Sequence, residues 1–216
     1  KSSALPCIAV ISVSCRLLIT SFRKLTLLFN ESRRTTEIFE KVLRVKHMRN
    51  SSLLPREEIL DLLKGLENNC NHVSYFWVQY GIAAQINEEY EEANNHLLYA
   101  HSMRSKSYHV NHALANNELA WGLFLLKNKI GDGNTKFLNG ADRMLKIVYN
   151  ENFSGSYRYS VHSYVRMWLE YAKVTKENLP YETCEVCSNL LESLLDRPLD
   201  NMLTTLIKSF IAYCDS

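Results

Sequence analysis

The residues best able to do chemistry in this chain are a Cys184-x-x-Cys187 pair and four histidines, His96, His101, His109 and His112, that fall within seventeen positions. A Cys-x-x-Cys holds zinc when a second pair completes the ligand set, or exchanges disulfides when it sits on an exposed turn. Here the surrounding stretch 182–195 reads as helix, and there is no second pair. The two thiols are therefore expected to face the core one turn apart. The histidines lack an Asp or Glu at metal-ligand spacing and spread over two expected helices and a loop. Capping and packing are the roles expected of them, with His112, beside Asn111, making a buried polar link between neighbouring helices. No Walker, dinucleotide-binding, nucleophile-elbow or His-Glu-x-x-His pattern occurs. The chain is accordingly read as a non-enzyme, with no catalytic residue, cofactor or metal.

The elements that carry these residues are helices. The chain has 216 residues, of which 46% are hydrophobic and 22% charged, ordinary values for a soluble domain. Only 7 Gly and 4 Pro interrupt it, which favours long helices and short loops over a many-stranded sandwich or barrel. A formal charge of +2 gives no global field for nucleic acid, and none is expected as a partner. The stretch 4–19 is apolar but broken by Pro6, Ser12, Ser14 and Arg16. It falls short of the ~20 residues a membrane span needs, so a buried helix is expected and no membrane partner. The six cysteines, at 7, 15, 70, 184, 187 and 214, lack a compact disulfide framework. Cys7, Cys15 and Cys214 sit in apolar helical context, where free cysteine packs as a small hydrophobe. A reducing, cytoplasmic setting follows. Lys1 in first position reads as the start of a fragment of a larger protein.

About ten helices are expected, over roughly 5–29, 31–49, 55–67, 73–86, 90–103, 109–127, 137–149, 157–174, 180–196 and 201–214, by apolar spacing at i, i+3 and i+4. Pro55 suits a first turn, with Glu57 and Glu58 at the positive end of the dipole. Gly131-Asp-Gly-Asn134 is the strongest turn signal. The basic clusters, Arg33-Arg34, Arg44 with Lys46 and Arg49, and Arg104 with Lys106, are expected on solvated helix ends and faces. A single domain, 1–216, is read as leading helices over 1–70, repeat units over 71–149 and closing helices over 150–216.

The central units carry a size pattern. Trp77 and Gly81 stand four apart in one expected helix, and Tyr90, Ala93, Leu97 and Ala100 follow in the next. Small Gly81 and Ala93 let two helix axes approach, while Trp77, Tyr90 and Leu97 fill the gaps around them. These offsets resemble one unit of the tetratricopeptide consensus. Tyr80 and Ala84 depart from it, and Ser105 stands where its Pro would be. A looser second unit pairs Ala115, Leu119 and Gly122 with Ala141, Leu145 and Val148. One pair cannot bury its apolar faces alone, so an all-α, right-handed stack of antiparallel helix pairs is expected.

A narrower resemblance lies in Phe76-Trp77-Val-Gln79-Tyr80-Gly-Ile-Ala83, Tyr90-Glu-Glu-Ala93 and Val110-Asn111-His112-Ala-Leu-Ala115. Over roughly 70–196 the chain resembles the C-terminal helical part of bacterial STAND-type P-loop NTPases, many of which serve in antiviral defence. That resemblance implies a sensor or regulatory arm that binds a viral protein or a neighbouring subunit, with oligomerisation through the parent protein. It carries no catalysis to this chain, because the Walker motifs are absent. A stand-alone scaffold or adaptor is the alternative. A helical hydrolase, with His and Glu converging in a deep polar pocket, is a third reading. Asn111, Asn116 and Asn117 are poor helix-interior choices by propensity, and His112 and Glu118 extend the same polar run. Either they present a polar face to a protein or peptide partner, or they bond helices to one another.

Overall fold

The computed structural model describes residues 36–37, 40–150, 156–195 and 200–215. The expectations for 1–35, including the buried helix over 4–19, Cys7, Cys15 and Arg33-Arg34, lie outside those residues. Among the described residues the chain is helical and has no strand. Helix α1 covers 40–50. It is followed by α2 (Arg56–Cys70), α3 (Ser74–Ile86), α4 (Tyr90–Met103), α5 (Tyr108–Asn128), α6 (Gly133–Val148), α7 (Tyr157–Thr175), α8 (Tyr181–Glu192) and α9 (Asn201–Cys214).

Local chemistry sets most boundaries. Pro55 stands at the N-cap of α2, whose first turn holds Glu57 and Glu58 against the helix dipole. Asp200 accepts a hydrogen bond from the Leu203 backbone N–H at 2.9 Å and caps α9. Asp132 does the same for α6 through the Thr135 N–H, also at 2.9 Å. This cap corrects the sequence reading: Gly133 and Asn134 belong to α6 rather than to the preceding turn. Helices α5 and α7 end on Lys129 and Lys176, each in the left-handed region with φ near 60°.

Two apolar cores result. One gathers Val42 and Val45 of α1, Ile59 and Leu63 of α2, Phe76 and Val78 of α3, Leu97 of α4, and Val110 and Leu114 of α5. The other begins at Ala115 and Leu119 of α5 and takes in Phe137 and Met144 of α6, Val165 and Trp168 of α7, Leu190 of α8, and Leu206 and Phe210 of α9. Helix α5 is shared, with Leu114 and Ala115 in different cores. The odd-numbered helices touch in series, α3 on α5, α5 on α7 and α7 on α9, while α4 packs on α3 and α6 on α5. Helix α3 is buried nearly all round, whereas α4 buries mainly Ala93, Leu97 and Ala100.

Cys70 and Cys187 are fully buried, Cys184 is half-buried and all are free thiols. Burial pushes the Cys187 thiol up to about 12. Cys214, expected in apolar packing, is exposed instead, because it falls in the last turn of α9. No helix among the described residues is long and apolar enough to cross a membrane.

Candidate functional site

Four helices contribute one face each to a groove of about 890 Å³. Helix α1 supplies Lys46 and Arg49, and α3 supplies Tyr75, Val78, Gln79, Ile82 and Gln85. Helix α5 supplies His109, His112, Asn116, Ala120, Leu123 and Lys127, and α7 supplies Arg166, Met167, Glu170 and Val174. Glu88 and Tyr90 close it at the α3–α4 turn. On each helix these residues recur at three- and four-residue steps, one stripe of a helical surface. On α3 that stripe lies beside the Phe76, Tyr80 and Ala84 stripe that enters the core.

The groove floor is tied across helices by side chains. Arg49 Nη1 donates to the Gln79 backbone oxygen at 3.5 Å, and Gln85 Nε2 to the Asn116 backbone oxygen at 3.4 Å. His112 Nε2 stands 3.4 Å from Ser163 Oγ of α7, and its Nδ1 stands 3.1 Å from Asn116 Nδ2. Burial pulls the His112 imidazole down to about 4, so it is neutral near neutral pH. Both ring nitrogens are thereby engaged in structure. The Gln79 side chain is only 4% exposed, and its Oε1 has no hydrogen-bond partner.

The charge in the groove is uneven. Lys46, Arg49, Lys127 and Arg166 line it against Glu88 and Glu170. Glu170 is engaged by Lys173 at 2.8 Å. None of the four cations forms an ion pair with a described carboxylate. Lys46 sits 5.8 Å from the Tyr75 ring centre, and Arg166 reaches only the Met167 sulfur, at 3.9 Å. Beyond Tyr90 and Phe124, whose rings are 5.1 Å apart, a second recess of about 520 Å³ is lined by Glu88, Glu89, Glu91 and Glu92. The sign of the surface thus reverses across that aromatic pair.

The five polar residues singled out on α5 separate by face. His112 and Asn116 line the groove. Asn117 is fully buried and donates through Nδ2 to the Tyr90 backbone oxygen at 3.1 Å, tying α5 to the start of α4. Glu118, 8% exposed, accepts two bonds from Arg143 of α6 at 2.9 and 3.2 Å. Asn111 donates to the Ser105 and Ser107 backbone oxygens at 2.6 and 2.9 Å and fixes the α4–α5 connection.

The repeat-signature residues lie mostly in packing. A Cβ on Gly81 would stand 2.6 Å from Leu97 Cγ and 3.1 Å from the Ala93 oxygen. Ala93, Leu97 and Ala100 are fully buried, and Trp77 donates from Nε1 to the Asn71 oxygen at 2.8 Å. Tyr90 departs from its expected gap-filling place: it is half-buried and lines the groove against Phe124. Lys46 and Arg49, expected on a solvated end, are half-buried groove residues. Their three-residue spacing was the available signal, but the helices facing them come from 30 to 120 residues away. Among the described residues no group of three or more His, Cys, Asp or Glu is placed to hold a metal ion. Comparison with protein-family models, curated proteins and solved structures found no match to this chain.

Proposed function

We propose that this chain is a protein-recognition region, a stack of antiparallel, tetratricopeptide-like helix pairs whose odd-numbered helices receive an extended segment of a partner protein. The order of contacts supports the pairing. Ser74 meets Ala100 and Gly81 meets Leu97 and Ala93, so positions rise along α3 as they fall along α4. Glu118 meets Arg143, Gly122 meets Phe137 and Leu126 meets Gly133, the same relation between α5 and α6. Between α5 and α7 positions rise together, Tyr108 with Ser160 and His112 with Ser163, as for equivalent helices of successive units.

The observation that carries the recognition reading is the groove itself, an apolar floor flanked by amide side chains. Ile82, Ala120 and Leu123 offer area to apolar side chains, while Gln79, Gln85 and Asn116 match main-chain amides. The hydrolase reading asks for a histidine paired with a carboxylate. Here the groove-lining His112 is bonded to Asn116 and Ser163, and Glu170 to Lys173. On the strength of the sequence resemblance alone, we extend the proposal to a sensor arm of a cytoplasmic STAND-type defence NTPase. A parent gene without a P-loop domain would overturn that extension.

The test is a peptide-display selection on the whole chain. Selected peptides should bind Ile82→Glu at least about tenfold more weakly, and bind Leu138→Glu, on an exposed face of α6, as they bind the parent. Circular dichroism checks that both variants keep their helices, and Ala120→Glu serves in place of an unfolded Ile82→Glu. Equal binding to a folded groove variant overturns the reading.

A further inference from the structure

We infer that the segment received by the groove is acidic, with carboxylates set against Arg49 on α1 and Arg166 on α7 and a main-chain N–H given to Gln79 between them. This rests on the recognition reading above and specifies its partner. Two independent shortages in the groove carry it.

The first is negative charge. Elsewhere on the described surface some cations find carboxylates, Arg143 with Glu118, Lys146 with Asp142, Arg158 with Asp200 and Lys173 with Glu170, while others such as Arg44, Lys64 and Lys106 stand alone in solvent. In the groove Lys46, Arg49, Lys127 and Arg166 have no such partner, and Lys173 already engages Glu170. Arg49 is the clearest case. It is half-buried, and its bonds, to Asn50 Oδ1 at 3.3 and 3.2 Å and to the Gln79 oxygen at 3.5 Å, lie at or beyond the upper end of the usual range. Burial accordingly lowers its pKa, the mark of a guanidinium short of counter-charge. A carboxylate accepts two parallel bonds from such a fork.

The second is a donor. Gln79 Oε1 is buried without a partner, on a side chain 4% exposed. Buried acceptors are normally satisfied. An extended peptide presents an N–H at each residue and can supply the bond once the Gln79 side chain turns its Oε1 into the groove, while its side chains deliver carboxylates to the cations and apolar groups to Ile82 and Leu123.

A nucleic acid would also bring negative charge, but it fits the remaining features less well. Tyr90 and Phe124 pack on one another, and Lys46 sits by the Tyr75 ring, so these aromatic faces are already in use rather than open for base stacking. The groove also opens past Tyr90 onto Glu89, Glu91 and Glu92. A backbone charged at every step is repelled there, whereas a peptide can change sign from one residue to the next.

The experiment uses the whole chain and three fluorescein-labelled probes in low salt, read by fluorescence polarisation. They are a peptide of about twelve residues alternating Asp or Glu with Leu, its Asn/Gln counterpart, and an oligouridylate of equal charge. The acidic peptide should bind at least about tenfold tighter than the neutral one, and weaken about fivefold with each of Arg49→Gln and Arg166→Gln. Lys64→Gln and Lys146→Gln, outside the groove, should leave it unchanged. Equal binding of the neutral peptide, or indifference to both Arg variants, overturns the acidic inference. If the neutral peptide still responds to Ile82→Glu, the recognition reading survives that loss. If neither peptide responds to Ile82→Glu, both fall. Tighter binding of the oligouridylate, lost in the two Arg variants, replaces the peptide with a nucleic acid and overturns the inference as well.

Discussion

Helices α3 and α4 meet through side chains, and α5 and α6 meet through backbone. A Cβ placed on Gly81 of α3 runs into Leu97 Cγ at 2.6 Å and Cδ2 at 2.8 Å. A Cβ on Gly122 of α5 runs into the Phe137 backbone N at 2.5 Å and Cα at 2.6 Å. Gly140 of α6 stands in the same relation to the Leu119 backbone N, at 2.7 Å. The first contact can yield for the most part by shifting the Leu97 side chain, with the Ala93 backbone oxygen at 3.1 Å left to give by a few tenths of an ångström. The second can yield only by moving a helix. The pair whose offsets resemble a repeat consensus is thus the more adaptable one, and the pair read as a looser second unit is closed more tightly. Small-against-large patterning identifies a contact filled by side chains, but glycine against backbone leaves no size pattern to read.

Substituting the two glycines alike would break or uphold this contrast, and the largest effect belongs to α5. Gly122→Ala should destabilise the chain by about 3 kcal/mol in urea unfolding, even after a helix-propensity gain of about 1 kcal/mol. Gly81→Ala should cost about 1 kcal/mol, and in a double-mutant cycle Leu97→Ala should relieve part of it. No side-chain truncation on α6 should relieve Gly122→Ala. Equal costs at the two glycines would dissolve the contrast.

Acid should act next. The step from α5 to α7 uses His112 against Ser163, while the step from α3 to α5 uses Gln85 against a backbone oxygen. Burial holds the folded-state pKa of His112 near 4, below the usual histidine value of 6.5, with His109 adding a smaller repulsion. The unfolded chain then binds the proton more readily. The stabilising contribution is complete above pH ~6.5 and is lost as pH falls from there toward 4. Between pH 7 and 5 the loss is about 2 kcal/mol, and His112→Asn should flatten that part of the profile. His96, on α4, is also lowered by burial, but Glu92 beside it opposes the shift. His96→Asn should therefore flatten the profile less, and the reverse ranking would move the acid-sensitive step to the α3/α4 pair.

A smaller effect than the acid loss is expected at the Arg143–Glu118 pair. Arg143→Ala leaves a carboxylate that is 8% exposed without its guanidinium, and should cost about 1.5 kcal/mol. Lys146→Ala, one turn along α6 and exposed with Asp142, should cost under about 0.5 kcal/mol. Thermal melts of the two variants measure this, and similar shifts would remove Glu118 from the bonds that close α5 on α6.

Helix positions were legible in the sequence because apolar residues recur at helical steps and few breakers intervene. The expected 90–103 and 201–214 coincide with α4 and α9. The start of α6 was misjudged because Gly133 and Asn134 are turn formers by composition. The Asp132 cap and the Gly133 contact with Leu126, where a Cβ would lie 2.7 Å from a backbone N, hold them in the helix. The polar run on α5 was legible as unusual but not as two groups. Adjacent helix positions are about 100° apart, so Asn116 faces the groove while Asn117 and Glu118 face the core side. Lys46 and Arg49 read as solvated because a single amphipathic helix carries no record of which distant helix shares its edge.

Helix α5 gives Leu114 to one core and Ala115 to the other. Two consecutive residues thus answer to separate sets of neighbours. A ligand held between α1 and α7 would press on the one stripe that this helix turns to the groove, and through it on both cores. Among the described helices, strain passing from one core to the other meets the same twenty-one residues of α5, so a shortened chain should keep α5 whole with its partners on both flanks.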